Sequence, residues 1–264
     1  MSKQYNKEEL KINIVSAALS YRKNTKWKQT WQNSCPENYI TGELYPGFTC
    51  LGGSRYWITE DQLKELGTKA INTFGVPESW LGIYQHGIKF YNIENCTGIK
   101  IPKVKLDKKY SKCEKIVKKY LNYSNVKIEL DFTSPFYNRV FDIIRIPDLN
   151  YFINPESYYA SLYHELVHST AHKKRLGRFR TKLPKRESKN YKEEELVAEL
   201  GSCILSVRSD ISSQTFYNSL AYINNVLKDI LSDSRIINKE NHKKKIVEKC
   251  YKKAEAAVEY ILGM

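Results

Sequence analysis

None of the six cysteines stands in a C-x-x-C pair, and their positions (35, 50, 96, 113, 203 and 250) match no zinc-knuckle spacing. That argues against a cysteine-held metal and for free thiols in a reducing cytoplasm. The chain also lacks any apolar run near the ~18 residues that a membrane-spanning helix requires, so no membrane is expected. Its first nine residues are polar and charged and do not read as a secretory leader. No internal repeat or low-complexity segment is present. Histidine is scarce, five in 264 residues.

Acid is in short supply as well. Lys and Arg number 43 against 29 Asp and Glu, a net charge of +14. Such a balance favours a polyanionic partner, most simply nucleic acid held through its phosphates. A lysine-rich chain with no such partner is the plain alternative. The excess is uneven: residues 1–100 carry net +3 and residues 101–264 net +11. Two basic runs stand out, 103–119 and 173–192.

Two of the rare histidines fall in His164-Glu165-Leu166-Val167-His168, an H-E-x-x-H pattern. This composition yields the pattern by chance in roughly 1% of shuffled chains, so its context decides. Asn154-Pro155-Glu156 reads as a helix start, with a capping Asn, a first-turn Pro and an acid. Tyr159, Leu162, Leu166 and Val167 supply an apolar stripe, and Gly177 is a plausible stop. On that helix His164 and His168 share a face and can hold one metal ion together. Glu165 can reach a water on the ion and take its proton. Two core histidines beside a surface acid would be the bland account. His172 lies about 12 Å from His164 along a straight helix and is not expected to bind the same ion.

A third ligand has its best source in residues 191–208. Leu196, Leu200, Cys203, Ile204 and Val207 make a helical stripe, with Glu195 and Glu199 four apart beside it. Glu193 and Glu194 fit the helix dipole. Glu199 falls past the first turn, where the dipole explains nothing. Glu195 is the preferred ligand with Glu199 orienting a ligand histidine, and the reverse is the alternative. Gly201 suggests close approach to another element, plausibly the histidine helix.

Along the chain, residues 6–22 and 107–121 read as amphipathic helices, and 219–231 and 244–262 as two closing ones. Residues 55–58 read as a short strand or the lead-in to a helix capped by Thr59. Residues 81–84 and 88–93 alternate like strands about Gly87. Residues 139–146 have strand character. Composition shifts at Ile101-Pro102-Lys103, where a domain boundary is expected.

These residues together resemble the ArdC-type antirestriction proteins of plasmids and phages. The resemblance rests on Trp27 to Trp31, on the segment 36–47 (PENYITGELYPG), on Tyr56-Trp57-Ile58-Thr59 through Gly67, and on 90–95. Further on it rests on Tyr158 through His168 with Thr170, His172, Arg175 and Leu176, on 194–201 (EELVAELG), and on Ala221-Tyr222-Ile223. Gly47-Phe48-Thr49 departs from the family's G-x-N, and Ser169 and Ala171 replace its Trp and Gly.

The resemblance implies an α+β fold in two domains. The first, residues 1–102, would be a small α+β unit binding single-stranded DNA. The second, residues 103–264, would be a mainly helical zincin-like metallopeptidase domain with a short sheet. It implies His164, His168 and Glu195 as ligands of Zn2+ or another divalent ion such as Mn2+. Glu165 is then the general base, Glu199 the supporting acid and Tyr222 a candidate transition-state donor. Trp27, Trp31, Asn38, Thr41, Tyr45, Arg55 and Trp57 become candidate DNA contacts, the aromatics through base stacking. Core packing is the competing account of the tryptophans. Three functions follow: an antirestriction protein that binds single-stranded DNA and carries a peptidase, a DNA-masking protein with a structural or vestigial metal site, or an effector protease with no nucleic-acid role.

Overall fold

The structure, a computed structural model, describes residues 6–21, 26–31, 36–45, 56–70, 82–100, 107–131, 133–178 and 188–264. Its first helix, α1 (Lys7–Ser20), is opened by Asn6, whose side chain accepts from the N–H of Glu8 and Glu9. Leu10, Ile14 and Ala18, spaced by four, are its buried stripe.

Four short strands follow: β1 (Glu37–Asn38), β2 (Tyr56–Thr59), β3 (Ile83–Gln85) and β4 (Ile88–Asn92). They form one sheet in the order β1-β2-β4-β3, with β1 parallel to β2 and the other pairs antiparallel. His86 and Gly87, both at positive φ, make the tight turn between β3 and β4. Both readings of 55–58 apply: β2 runs directly into α2 (Glu60–Glu65), where Thr59 and Gln62 form a reciprocal capping box. This sheet and helix close over a small core of Ile58, Leu63, Tyr91, Ile93 and Cys96.

The second region is larger. Helix α3 (Ser111–Ser124) follows a 3-10 turn and buries Cys113, Val117 and Tyr120, leaving its lysines outside. Strands β5 (Lys127–Leu130), β6 (Phe136–Asn138) and β7 (Ile143–Ile146) form a sheet in the order β5-β7-β6. The strand expected over 139–146 is in fact the end of a hairpin. Residues 139–142 are its turn, and Asp142 takes positive φ there. Helices α4 (Pro155–Thr170), α5 (Lys189–Arg208), α6 (Ser212–Leu231) and α7 (Lys239–Leu262) pack on one another, and α4 also lies on β6 and β7.

Helix α4 starts as expected, with the Asn154 side chain accepting from the Ser157 N–H and Pro155 in the first turn. It ends at Thr170, seven residues before Gly177, because Ala171 and His172 donate back to His168 and Ser169 and tighten the last turn. The small residue of α5 works as expected. A Cβ on Gly201 would stand 2.7 Å from Val167 Cγ2, so only glycine lets the two helices meet this closely. Ser202 Oγ donates to the Ala160 carbonyl at 2.7 Å in the same contact. Helix α1 packs with α5, α6 and α7, and Leu10, Ile14 and Ala18 belong to the large core rather than the small one. Cys96, Cys113, Cys203 and Cys250 are buried free thiols. Among the described residues no helix is long and apolar enough to cross a membrane.

Candidate metal centre

Helix α4 presents Ser157, Ala160, Ser161, His164, Glu165 and His168 to one cavity of about 880 Å³. The spacing is that of a single helix face, and the small residues before the histidines leave it open. Helix α5 crosses behind and contributes Tyr191, Glu194, Glu195 and Glu199, while α6 contributes Thr215, Ser219 and Tyr222. Strand β6 adds Phe136 and Tyr137.

At the floor of this cavity one ligand atom each from His164, His168 and Glu195 lies within 4.8 Å of the others. His164 Nε2 and His168 Nε2 are 3.1 Å apart. Glu195 straddles them, with Oε2 3.4 Å from His164 Nε2 and Oε1 3.6 Å from His168 Nε2. Zinc bonds of about 2.0–2.1 Å at tetrahedral angles separate ligand atoms by roughly 3.3–3.4 Å, and the gaps of 3.1 to 3.6 Å between these three groups suit one such ion. The donor set, two imidazoles and a carboxylate, is also the chemistry such an ion takes.

Each ligand is held from behind. His164 Nδ1–H donates to Glu199 Oε2 at 2.7 Å, which turns Nε2 to the centre. His168 Nδ1 lies 3.6 Å from Glu194 Oε1. Tyr222 donates its hydroxyl to Glu195 Oε2 at 2.7 Å, and its ring stands edge-on to His164 at 5.8 Å. Glu194 and Arg178 were not expected here. Arg178 clamps Glu194 with two hydrogen bonds, at 2.6 and 3.1 Å, and donates to Thr170 and to the Val167 carbonyl. The dipole account of Glu193 and Glu194 fails for a simple reason. Helix α5 begins at Lys189 behind a Ser188 cap, so both acids fall in its second turn. Glu193 instead takes Lys249 at 2.6 Å. The available signal was three consecutive glutamates running into the apolar stripe of α5.

The electrostatics follow from burial and pairing. Burial pulls His164 down, but its hydrogen bonds with Glu195 and Glu199 outweigh that and hold it well above its usual value. Burial opposes His168 likewise, yet Glu195 and Glu194 push it up to about 9. Glu195 is raised by burial and lowered more by His168 and His164, so it stays well below the carboxylate range. Glu165 is 7% exposed, and burial raises its carboxyl against the pull of both imidazoles. The backbone of Tyr137, on the edge strand β6, lowers it in turn.

His172 sits away from the centre. It is buried, accepts from the Lys174 N–H at 3.3 Å and lies 3.9 Å from Asp142.

The candidate DNA residues divide into two places. Trp27 and Trp31 line the metal cavity and pack on the large core. Asn38, Thr41, Tyr45 and Trp57 lie on or beside the N-terminal sheet. Asn38 is buried, accepting from the N–H of Ile40 and Thr41 and donating to Gln62 and Tyr45. Tyr45 packs edge-on to Phe90 at 5.1 Å, Trp57 is 4% exposed and Thr41 is exposed. Arg55 lies outside the described residues.

Residues 115–243 match the model of a family described as a zincin-like metallopeptidase, MPTase-PolyVal. The chain is also similar to the antirestriction protein ArdC of plasmid R388. The Mn(II)-bound crystal structure of that protein is 20% identical, with 98% of each chain covered and a TM-score of 0.43. The metal-free one is 20% identical, with 97% of each chain covered and a TM-score of 0.38. No curated protein matches. The stretch that holds every member of the metal centre, residues 115–243, is therefore similar to the zincin-like metallopeptidases.

Proposed function

We propose that this chain is an ArdC-like antirestriction protein. Its second region, residues 103–264, would be a metal-dependent peptidase, and its first, residues 1–102, a single-stranded-DNA-binding unit. The hydrolase half rests on one observation, that one ligand atom each from His164, His168 and Glu195 lies within 4.8 Å of the others. His164, His168 and Glu195 hold the ion, Zn2+ or another divalent ion such as Mn2+. When bound, it supplies an acidified water and a positive centre for the substrate carbonyl. Glu165 takes the water's proton at its carboxylate, and burial brings that carboxyl towards the range where a base works near neutrality. Glu199 and Glu194 orient the two imidazoles. Tyr222 is placed to donate to the developing oxyanion once Glu195 is engaged by the ion.

A peptide is the substrate class that the cleft supports. Strand β6 is a sheet edge, and its Phe136 and Tyr137 line the cavity beside Glu165. An extended chain can add to such an edge through backbone hydrogen bonds. For the DNA half, Tyr84 on β3 is 66% exposed, with Lys89 Nζ 5.5 Å from its ring, a pairing suited to a base and its phosphate.

Glu165→Gln should keep the metal and lower peptide cleavage by about 10²–10⁴-fold. Parent-like cleavage removes Glu165 as the base. Protection from restriction by the same variant separates peptidase from masking. Full protection favours masking, in which covering DNA is sufficient and the metal site is structural or vestigial. A mobility shift with a single-stranded oligonucleotide tests the DNA half. Affinity should fall steeply with salt, and no shift at low salt rules it out.

A further inference from the structure

The metal cavity is not closed by the second region alone. Residues 26–31 come in from the N-terminal side and form one wall. Trp27 lies edge-on to Tyr222 with centroids 5.7 Å apart, and Trp31 lies 5.9 Å from Trp27 and 6.1 Å from Phe152.

This segment is fixed rather than draped. Asn218 of α6 accepts from the Lys28 N–H and donates to the Lys28 carbonyl, both at 2.9 Å. The Ile153 N–H donates to the Thr30 carbonyl at 2.9 Å, and Trp31 bridges to Phe152. Trp31 Nε1–H donates to the Thr133 carbonyl at 2.9 Å. The indoles are half-buried and held from both sides of the cleft.

Their surroundings suit an apolar guest better than a nucleic acid. Glu165, Glu194, Glu195 and Glu199 line the same cavity, against Lys28 and Arg139. Four carboxylates against two cations leave no excess positive field, even with one divalent ion added, to hold a phosphate backbone. Indole edges beside a reactive centre provide large, rigid apolar contact at low entropic cost.

We infer that Trp27 and Trp31 form a subsite of the metal cleft that takes a bulky apolar side chain of a peptide substrate. This rests on the peptidase reading and extends it. The N-terminal segment thereby completes the cleft of the second region and sets its selectivity, instead of serving as DNA-stacking surface.

Binding of hydroxamates to the full, metal-loaded chain, measured by calorimetry, tests this without relying on turnover. Acetohydroxamate reports the ion alone. Glycine, leucine and phenylalanine hydroxamates report the subsite. The parent should bind the leucine and phenylalanine compounds tenfold or more tighter than the glycine one. Trp27→Ala and Trp31→Ala should bring that ratio near one with metal content and acetohydroxamate affinity intact, and Trp27→Phe should restore part of it. A ratio near one in the parent, or one that survives in both alanine variants, overturns the subsite. So does a loss of oligonucleotide binding in the alanine variants with the ratio intact, which returns the indoles to DNA. Failure of the parent to load metal or to bind acetohydroxamate instead strikes the metal centre, and the subsite falls with it.

Discussion

Helices α3 and α5 both carry many charges, and they use them in opposite ways. On α3 the lysines at 112, 115, 118 and 119 face outward while Cys113, Val117 and Tyr120 face the core. On α5 the acids face inward. Glu193, Glu194, Glu195 and Glu199 meet Lys249, Arg178, the two ligand imidazoles and His164 Nδ1. A charge on a solvated face asks little of the rest of the chain. A buried one demands a partner from another element, and where several such partners converge they make a centre.

The contrast can be broken at its strongest point first. Arg178→Met leaves Glu194 buried without its clamp and should cost about 3–5 kcal/mol in denaturant unfolding. A loss under ~1 kcal/mol would place that pair with ordinary surface bridges. Next, Glu199→Ala should weaken metal binding by about 10–100-fold through His164, while leaving the protein folded. A loss well beyond ~100-fold would favour the reversed roles of Glu195 and Glu199, and an unchanged affinity would remove Glu199 from the support of the site.

Proton competition sharpens the same point. His168 is held up to about 9 before an ion arrives, so the ion must displace a proton there. Metal affinity should therefore rise with pH by at least about tenfold per unit up to that value, and more steeply where His164 also gives up a proton, with protons released on binding. A flat profile between pH 6 and 9 would mean that the imidazole binds no ion. At the small end, Lys115→Ala on α3 should change stability by less than ~0.5 kcal/mol.

How far the sequence discloses this follows from the range of each interaction. The start of α4, its H-E-x-x-H face and the Thr59 cap are local, and they are legible. Gly201 is legible because a glycine inside an apolar helix needs a packing reason, and Val167 supplies it. The end of α4 is not, since it stops by tightening its last turn without a glycine. The β6–β7 hairpin hides because its turn holds neither Gly nor Pro, and Asp142 adopts positive φ instead. The first turn of α6, Ser212 to Thr215, is polar and carries no apolar period to read. Least legible are Trp27 and Trp31, whose partners at Thr133, Phe152 and Tyr222 lie more than a hundred residues on. Only the fold brings them to the metal cavity.

The most direct test is X-ray absorption at the zinc edge of the protein loaded with one equivalent of zinc. The account predicts a shell of nitrogen and oxygen near 2.0–2.1 Å containing two imidazoles, reduced in the Glu195→Ala variant. A sulfur shell near 2.3 Å, placing the ion on the free thiols, or a shell without two imidazoles would contradict it.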